Sequence, residues 1–139
     1  ADADRIGREH LAEQRDRRPV RPPPLGCCHR SRLDLGTGVR DWGKTQPHDG
    51  AFHATALVTH FHFDHIQGLP FLTAADRPGS VLEIYGPGDG ASTTEELFKS
   101  FVRPPLFPVG LEQLRGSYRC HDVVRDDFAI GSAKVRVRP

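Results

Sequence analysis

A short apolar segment followed at once by a cluster of histidines constrains the fold of this chain more than any other feature. Residues 54–59 read ATALVT, and this continuous apolar run has the length of a strand that is buried on both faces. It leads directly into His60, His62, Asp64 and His65, four side chains that can bind a metal ion. Polar groups at this point are costly to bury without partners. We therefore interpret the cluster as a functional site and not as a histidine-rich surface turn.

The spacing of these residues predicts how their side chains point. In an extended chain His60 and His62 lie on one side, while Phe61 and Phe63 point the other way into the core. A turn at Asp64 can then present its carboxylate and the His65 imidazole toward a second, nearby metal position. Imidazoles and a carboxylate bind Zn²⁺ at about 2.0–2.2 Å, and such a set with one open coordination position can activate water.

The rest of the chain predicts strands that alternate with helices. Strands are expected at residues 33–35, 54–59, 81–85, 117–124, 128–131 and 134–138, the last two joined by a tight Gly-Ser turn. Helices are expected at residues 39–44, from residue 64 to Pro70, and after a capping box that begins at Ser92 or Thr93. Strands that alternate with helices, followed by a run of β-structure, predict a mixed α/β layered fold.

Charge and composition argue against several classes of protein. The chain has 19 Lys and Arg against 18 Asp and Glu, so no overall field attracts DNA or a membrane surface. It has no apolar run of 18 residues, and its charged first residues lack the apolar core of a secretory signal. Three cysteines, two of them adjacent, do not form a disulfide framework. We therefore expect a cytoplasmic protein with no membrane partner.

The first part of the chain differs from the rest. Residues 1–32 are rich in arginine and proline and show no sustained periodicity, so we expect a poorly ordered segment followed by a domain at residues 33–139. A basic arm for nucleic acid at residues 15–21 is an alternative interpretation. Asp16 within that stretch, and the absence of aromatic residues from it, favour a solvated segment.

The histidine cluster also resembles a known family motif. Residues 59–72, THFHFDHIQGLPFL, resemble the HxHxDH motif of the metallo-β-lactamase superfamily, and residues 33–38, LDLGTG, resemble the Asp-Gly turn that precedes it. The ribonuclease Z-like and cyclic-nucleotide-phosphodiesterase-like hydrolases are the most similar branch, with a glycine-rich turn like residues 85–88. The resemblance covers about residues 32–139. It implies an α/β fold of the αββα sandwich type, of which this chain forms the first half.

The resemblance implies a hydrolase with two metal ions. His60 and His62 are the ligands implied for the first ion, and Asp64 and His65 those for the second, with Asp64 also the implied catalytic residue. Asp34 is expected to hold the loop or a ligand by hydrogen bonds, and a plain turn-forming role explains it at least as well. Zn²⁺ is the expected cofactor, with Mn²⁺ or Fe as alternatives. The expected partner is a small-molecule or nucleotide phosphodiester, with nucleic acid as a second candidate.

The chain departs from the family after its first motif. The family takes a further histidine, a bridging aspartate and a last histidine from the second half of its fold. His121 is the only histidine that follows His65 here, and its position beside Cys120 within a predicted strand does not favour a metal ligand. We therefore expect a truncated domain with under-coordinated metals and exposed apolar surface that favours oligomers. The alternative function is a degenerate, non-catalytic fragment that binds metal weakly.

Overall fold

The computed structural model describes residues 30–125 and 127–138. In chain order the elements are β1 (Arg30–Leu33), α1 (Val39–Lys44), β2 (His53–Leu57), α2 (Phe63–Ile66), a 3₁₀ turn (Leu69–Phe71), β3 (Val81–Gly86), α3 (Thr94–Phe101), a second 3₁₀ turn (Leu111–Gln113), β4 (Ser117–Asp122), β5 (Asp127–Ile130) and β6 (Ala133–Arg136). Among the helices in these ranges, none has the length and apolar character needed to cross a lipid bilayer.

The strands form a parallel sheet and a separate hairpin. Strands β1 to β4 lie side by side in chain order, and all three neighbouring pairs are parallel. Strands β5 and β6 pair with each other in antiparallel orientation. This arrangement confirms the predicted mixed α/β class. Because all four strands of the sheet run the same way, their carboxyl ends meet at one edge, where the loops after β1 and β2 come together.

The main core lies against one face of the sheet. Alternating residues of the two central strands, Ala54 and Ala56 of β2 with Leu82 and Ile84 of β3, pack there with Phe98 of α3. The helix begins as predicted, because Thr93 accepts a hydrogen bond from the N–H of Glu96 and the Glu96 carboxylate accepts one from the N–H of Thr93.

The opposite face of the sheet is covered less completely. The Tyr85 ring stacks on the rings of His121 of β4 and Phe128 of β5, with its centroid 4.5 Å from the first and 4.9 Å from the second. The hairpin therefore packs against this face of the sheet. Beside the stack lies an apolar groove of about 440 Å³, bordered by Leu33 and Val135 among others. Leu33 is 71% exposed, and apolar side chains therefore remain at the surface of the described part of the chain.

The first strand lies earlier than its sequence predicts. The sequence pattern predicts a strand at residues 33–35, and β1 instead covers Arg30–Leu33 and pairs with β2. The reason is Asp34, whose φ of 58° ends the extended conformation directly after Leu33. The predicted boundary between residues 1–32 and 33–139 therefore falls inside β1. Residues 1–29, including the candidate basic arm at residues 15–21, lie outside the described residues.

Candidate metal centre

The candidate site lies at the carboxyl edge of the sheet, where two loops are tied together. One loop follows β1 and the other follows β2. Their backbones exchange hydrogen bonds, from the N–H of Leu35 to the carbonyl oxygen of His65 at 2.6 Å and from the N–H of Gly68 to that of Leu35 at 2.7 Å. These bonds place the residue that ends β1 beside the histidines that follow β2.

Two glycines allow the loops to approach this closely. A Cβ atom on Gly68 would lie 2.1 Å from the carbonyl oxygen of Gly36, and one on Gly36 would lie 2.5 Å from that of Asp64. Both distances are shorter than backbone atoms tolerate, so a side chain at either position forces α2 away from the β1 loop. At Gly38, two residues further on, a Cβ atom would have no neighbour within 4 Å.

Three imidazoles gather in this loop. The ring centroids of His60 and His62 are 4.5 Å apart, which confirms that the alternation of an extended chain brings these two rings to one side. The ring of His65 lies as close, with its centroid 4.1 Å from that of His60. We call these three rings the imidazole cluster. The carboxylate of Asp64 adjoins it, with Oδ2 3.5 Å from Nε2 of His65.

The Asp34 carboxylate connects the loops to the cluster. Its Oδ1 accepts hydrogen bonds from the backbone N–H of Thr59 at 2.7 Å and from the Thr59 hydroxyl at 3.0 Å. Its Oδ2 lies 2.7 Å from Nδ1 of His65. Because an ionised carboxylate only accepts hydrogen bonds, Nδ1 of His65 carries the hydrogen. Nε2 is then the nitrogen with a lone pair for a ligand, and Asp34 contacts both the loop and a predicted ligand residue.

Thr59 belongs to this network, although its sequence context carries only a weak signal. Besides its contacts with Asp34, its hydroxyl oxygen lies 3.0 Å from Nδ1 of His60. The same hydroxyl thus adjoins an imidazole of the cluster and the carboxylate that orients another. The signal in the sequence is its position immediately before His60, where a hydroxyl side chain ends an otherwise apolar run.

The Asp34–His65 pair shifts the pKa values of both groups. Burial favours the neutral form of Asp34, but hydrogen bonds from Thr59 and His65 outweigh it and lower the pKa below 3.8. The hydrogen bond to Asp34 raises the pKa of His65 above 6.5, against a smaller opposing effect of burial. The pair is therefore strongest when Asp34 is ionised and His65 is protonated.

These shifts predict a pH optimum for the stability of the metal-free protein. The Asp34 contribution is complete above pH 3.8 and is lost as the pH falls through the lower, folded pKa. The His65 contribution is complete below pH 6.5 and is lost as the pH rises through the higher, folded pKa. We therefore expect the free energy of unfolding, measured in urea with EDTA present, to be highest between pH 3.8 and pH 6.5. In Asp34→Asn this free energy should depend less on pH at both the acidic and the basic side. An unchanged pH profile in that variant would contradict the assignment.

The prediction for Phe63 is wrong. Phe61 packs against the core, with its ring centroid 5.6 Å from that of Phe98, as expected for an inward-facing residue of an extended segment. Phe63 is 61% exposed, and its ring centroid lies 5.9 Å from that of Phe101. The extended geometry ends at His62, and Phe63 already begins α2. The alternation of side chains therefore stops one residue too early to bury it.

The one later histidine belongs to a different cluster. Nε2 of His121 lies 2.6 Å from Oε2 of Glu83, and the same carboxylate accepts a hydrogen bond from Arg119 at 3.0 Å. Glu83 is a nearly buried acid that the sequence-based predictions do not include, although it interrupts the apolar strand VLEIY. Burial raises the pKa of the neighbouring Cys120 thiol to about 12, so this cysteine is not a thiolate at neutral pH.

The donor atoms fit a zinc ion in kind, but the imidazole rings lie closer together than they would on a bound ion. Two imidazoles on one tetrahedral zinc have ring centroids about 5 Å apart, so the rings of the cluster need to separate by only about 1 Å. As the side chains stand, no group of three or more His, Cys, Asp or Glu residues in the described ranges is placed to hold a metal ion. A bound zinc ion would therefore require these side chains to move from their present positions.

Fold and site together define an α/β protein with a candidate metal centre at the carboxyl edge of a parallel sheet. No family model, no curated protein and no solved structure matches the chain.

Proposed function

We propose that this chain carries the metal-binding loop of a zinc-dependent hydrolase that cleaves phosphodiesters. The observation that carries the proposal is the imidazole cluster, with Nε2 of His65 left for a ligand by the Asp34 hydrogen bond. An imidazole held in one tautomer by a carboxylate is a common arrangement behind a metal ligand. The resemblance to the HxHxDH motif supports the same proposal.

The residues that would hold the metal are His60, His62, Asp64 and His65. When bound, a divalent cation supplies a water molecule whose pKa falls toward about 7 and a positive charge that polarises the scissile group. The chain itself contributes position. Asp34 fixes the tautomer and the direction of His65, and the tie between the two loops keeps the imidazoles at one edge of the sheet.

The same proposal includes the fold family. We assign residues 33–139 to the first half of an αββα sandwich of the metallo-β-lactamase type, closest to the ribonuclease Z-like and phosphodiesterase-like branch. The four parallel strands and the less covered sheet face support this assignment. A nucleotide or small-molecule phosphodiester is the proposed substrate, with nucleic acid as a second candidate. A cytoplasmic setting belongs to the proposal, because three cysteines with two adjacent do not suit an oxidising compartment.

Zinc binding tests the proposal directly. We expect the purified chain to bind zinc in a competition with a chromophoric chelator, and His62→Ala to weaken the affinity about 100-fold or more, since a ligand contributes at least as much as the groups behind it. His53→Ala is the matched control, because His53 is an exposed histidine at the start of β2, at the opposite end of that strand. Equal zinc affinity in the two variants would contradict the ligand assignment.

One observation favours the alternative of a non-catalytic fragment that binds metal weakly. The described residues do not bring three donors to one point, and His121 is engaged by Glu83. Metal analysis and turnover separate the two functions. About two zinc ions per chain with hydrolysis of bis(p-nitrophenyl) phosphate would support the hydrolase. Less than half an equivalent of Zn, Mn or Fe without turnover would support the fragment.

A further inference from the structure

A cavity of about 310 Å³ opens beside the candidate metal centre. Asp64 and His65 are among the residues that line it, together with Arg32 of β1. Leu33 and Val39 give the same cavity apolar walls. A volume of this order suits a small ligand, and the lining combines one arginine, the carboxylates of Asp34 and Asp64, and apolar surface.

Arg32 is held in place, but not by an acid. Its guanidinium carbon lies 4.5 Å from the centre of the Trp42 ring, and Trp42 is itself packed edge-on against Phe52 with ring centroids 5.6 Å apart. Stacking of this kind orients the planar guanidinium group and leaves the N–H donors at its edge available. Within residues 30–125 and 127–138, no carboxylate lies within ion-pair distance of Arg32.

Other arginines of the described ranges are used differently. Four of them make ion pairs with carboxylates: Arg115 with Asp76, Arg119 with Glu83, and both Arg136 and Arg138 with Asp127. Arg32 therefore combines three properties, namely a place in the lining of the cavity, an aromatic ring against its guanidinium group and donors that no described carboxylate neutralises.

We propose that Arg32 binds the phosphate group of an organic phosphate in this cavity and thereby selects anionic substrates. The planar fork of N–H donors matches two phosphate oxygens, and the apolar walls suit the organic substituent. This inference rests on the proposed function only for where the scissile bond lies, next to Asp64 and His65. The binding of phosphate by Arg32 is a separate claim that requires no metal.

The acidic residues nearby do not cancel this charge. Asp34 and Asp64 also line the cavity, but both oxygens of Asp34 already accept hydrogen bonds from Thr59 and His65, and Oδ2 of Asp64 lies 3.5 Å from Nε2 of His65. Arg32 is thus the part of the cavity that attracts an anion.

A competing phosphate site at the loop after β3 lacks available donors. The N–H groups of Ala91 and Ser92 donate to Asp89, and the N–H of Thr94, the first residue of α3, donates to Asp122. A phosphate there would have to displace these carboxylates. The cavity at Arg32 is the better-equipped site of the two.

Trp42 provides the readout, because it is the only tryptophan of the chain and lies against Arg32. We expect phenyl phosphate, titrated into the full chain with EDTA present, to change the tryptophan fluorescence until the change saturates. Arg32→Gln should raise the dissociation constant at least tenfold, because a charge-assisted pair is lost. Arg40→Gln, which removes an exposed arginine of α1 outside the cavity lining, should leave it unchanged.

Two further measurements keep the test decisive if Arg32→Gln is poorly folded. Arg32→Lys retains the charge and loses the planar fork, so it should bind more weakly than the wild type. Benzyl alcohol, a neutral compound of similar shape, should give no saturable change with the wild-type chain. The inference is overturned if the wild type does not respond to phenyl phosphate, if the neutral compound binds equally well, or if the Arg32 and Arg40 variants behave alike. Because zinc is absent, failure of zinc binding is a separate result.

Discussion

Replacing Asp34 by alanine is expected to destabilise the protein by about 3 kcal/mol and to weaken zinc binding at least tenfold. Two effects lower the free energy of unfolding. The hydrogen bonds from Thr59 and His65 disappear, and a bond to a charged group contributes about 1.5–3 kcal/mol net, so the loss is about 2 kcal/mol because water replaces the carboxylate at exposed Thr59. Alanine must also adopt the φ of 58° found at this position, which costs a further ~1 kcal/mol.

Two other substitutions at the same position separate these causes. Asp34→Gly removes the hydrogen bonds but tolerates positive φ, and Asp34→Asn tolerates positive φ and keeps one acceptor oxygen. The expected order of destabilisation, measured by urea unfolding, is therefore alanine, then glycine, then asparagine. Equal losses for alanine and glycine would show that the relief of positive φ does not exceed the cost of the greater freedom that glycine gives the unfolded chain. An asparagine variant as unstable as the alanine variant would remove the hydrogen-bond explanation.

Gly68→Ala is expected to cost about 3 kcal/mol or more, which is at the upper end of overpacking effects. The new methyl group would lie 2.1 Å from the carbonyl oxygen of Gly36 and 2.6 Å from Cγ1 of Val39. The carbonyl belongs to the backbone and cannot rotate away. The loop after β2 must therefore move, and it carries the imidazole cluster, so zinc affinity should fall together with stability.

Gly38→Ala is the matched control for this prediction. Gly38 lies in the facing turn at an ordinary φ of −60°, and nothing lies within 4 Å of an added Cβ. The free energy of unfolding of Gly38→Ala should stay within about 1 kcal/mol of the wild type, because alanine changes stability little where the backbone conformation suits it. Thermal and urea unfolding, followed by circular dichroism, measure both variants. Similar losses at the two positions would show that contact between the loops is not what requires glycine at residue 68.

The parts of the fold that are predictable depend on local signals. The apolar runs of β2 and β3 and the capping box of α3 each depend on a few neighbouring residues. All three elements form close to where the sequence predicts them. Strand β1 is predicted at the wrong residues because Arg30–Leu33 has little strand pattern of its own. Its register comes from pairing with β2, and its end comes from the φ of Asp34. Neither depends on neighbouring residues alone.

The candidate site follows the same division. Alternation along an extended chain predicts that His60 and His62 share a side, and their rings do meet. The contact of His65 with Asp34 joins residues that are 31 positions apart, so only the folded backbone shows it in detail. The prediction for Phe63 fails because it extends the alternation past the residue where α2 begins. Metal binding, hydrolysis and family membership remain predictions.

The parallel connectivity of the main sheet has a consequence for how the chain folds. The neighbouring strand pairs join residues 24, 28 and 36 positions apart, since a parallel connection must cross over the sheet. Within the described ranges, only β5 and β6 form a strand pair across a short turn. We infer that this hairpin can close on a microsecond timescale. The sheet forms more slowly, because closing its long loops costs entropy before the strand pairs form. Because an isolated two-stranded hairpin is marginally stable in water, this hairpin should persist in refolding only once β3 offers Tyr85 as a surface for Phe128.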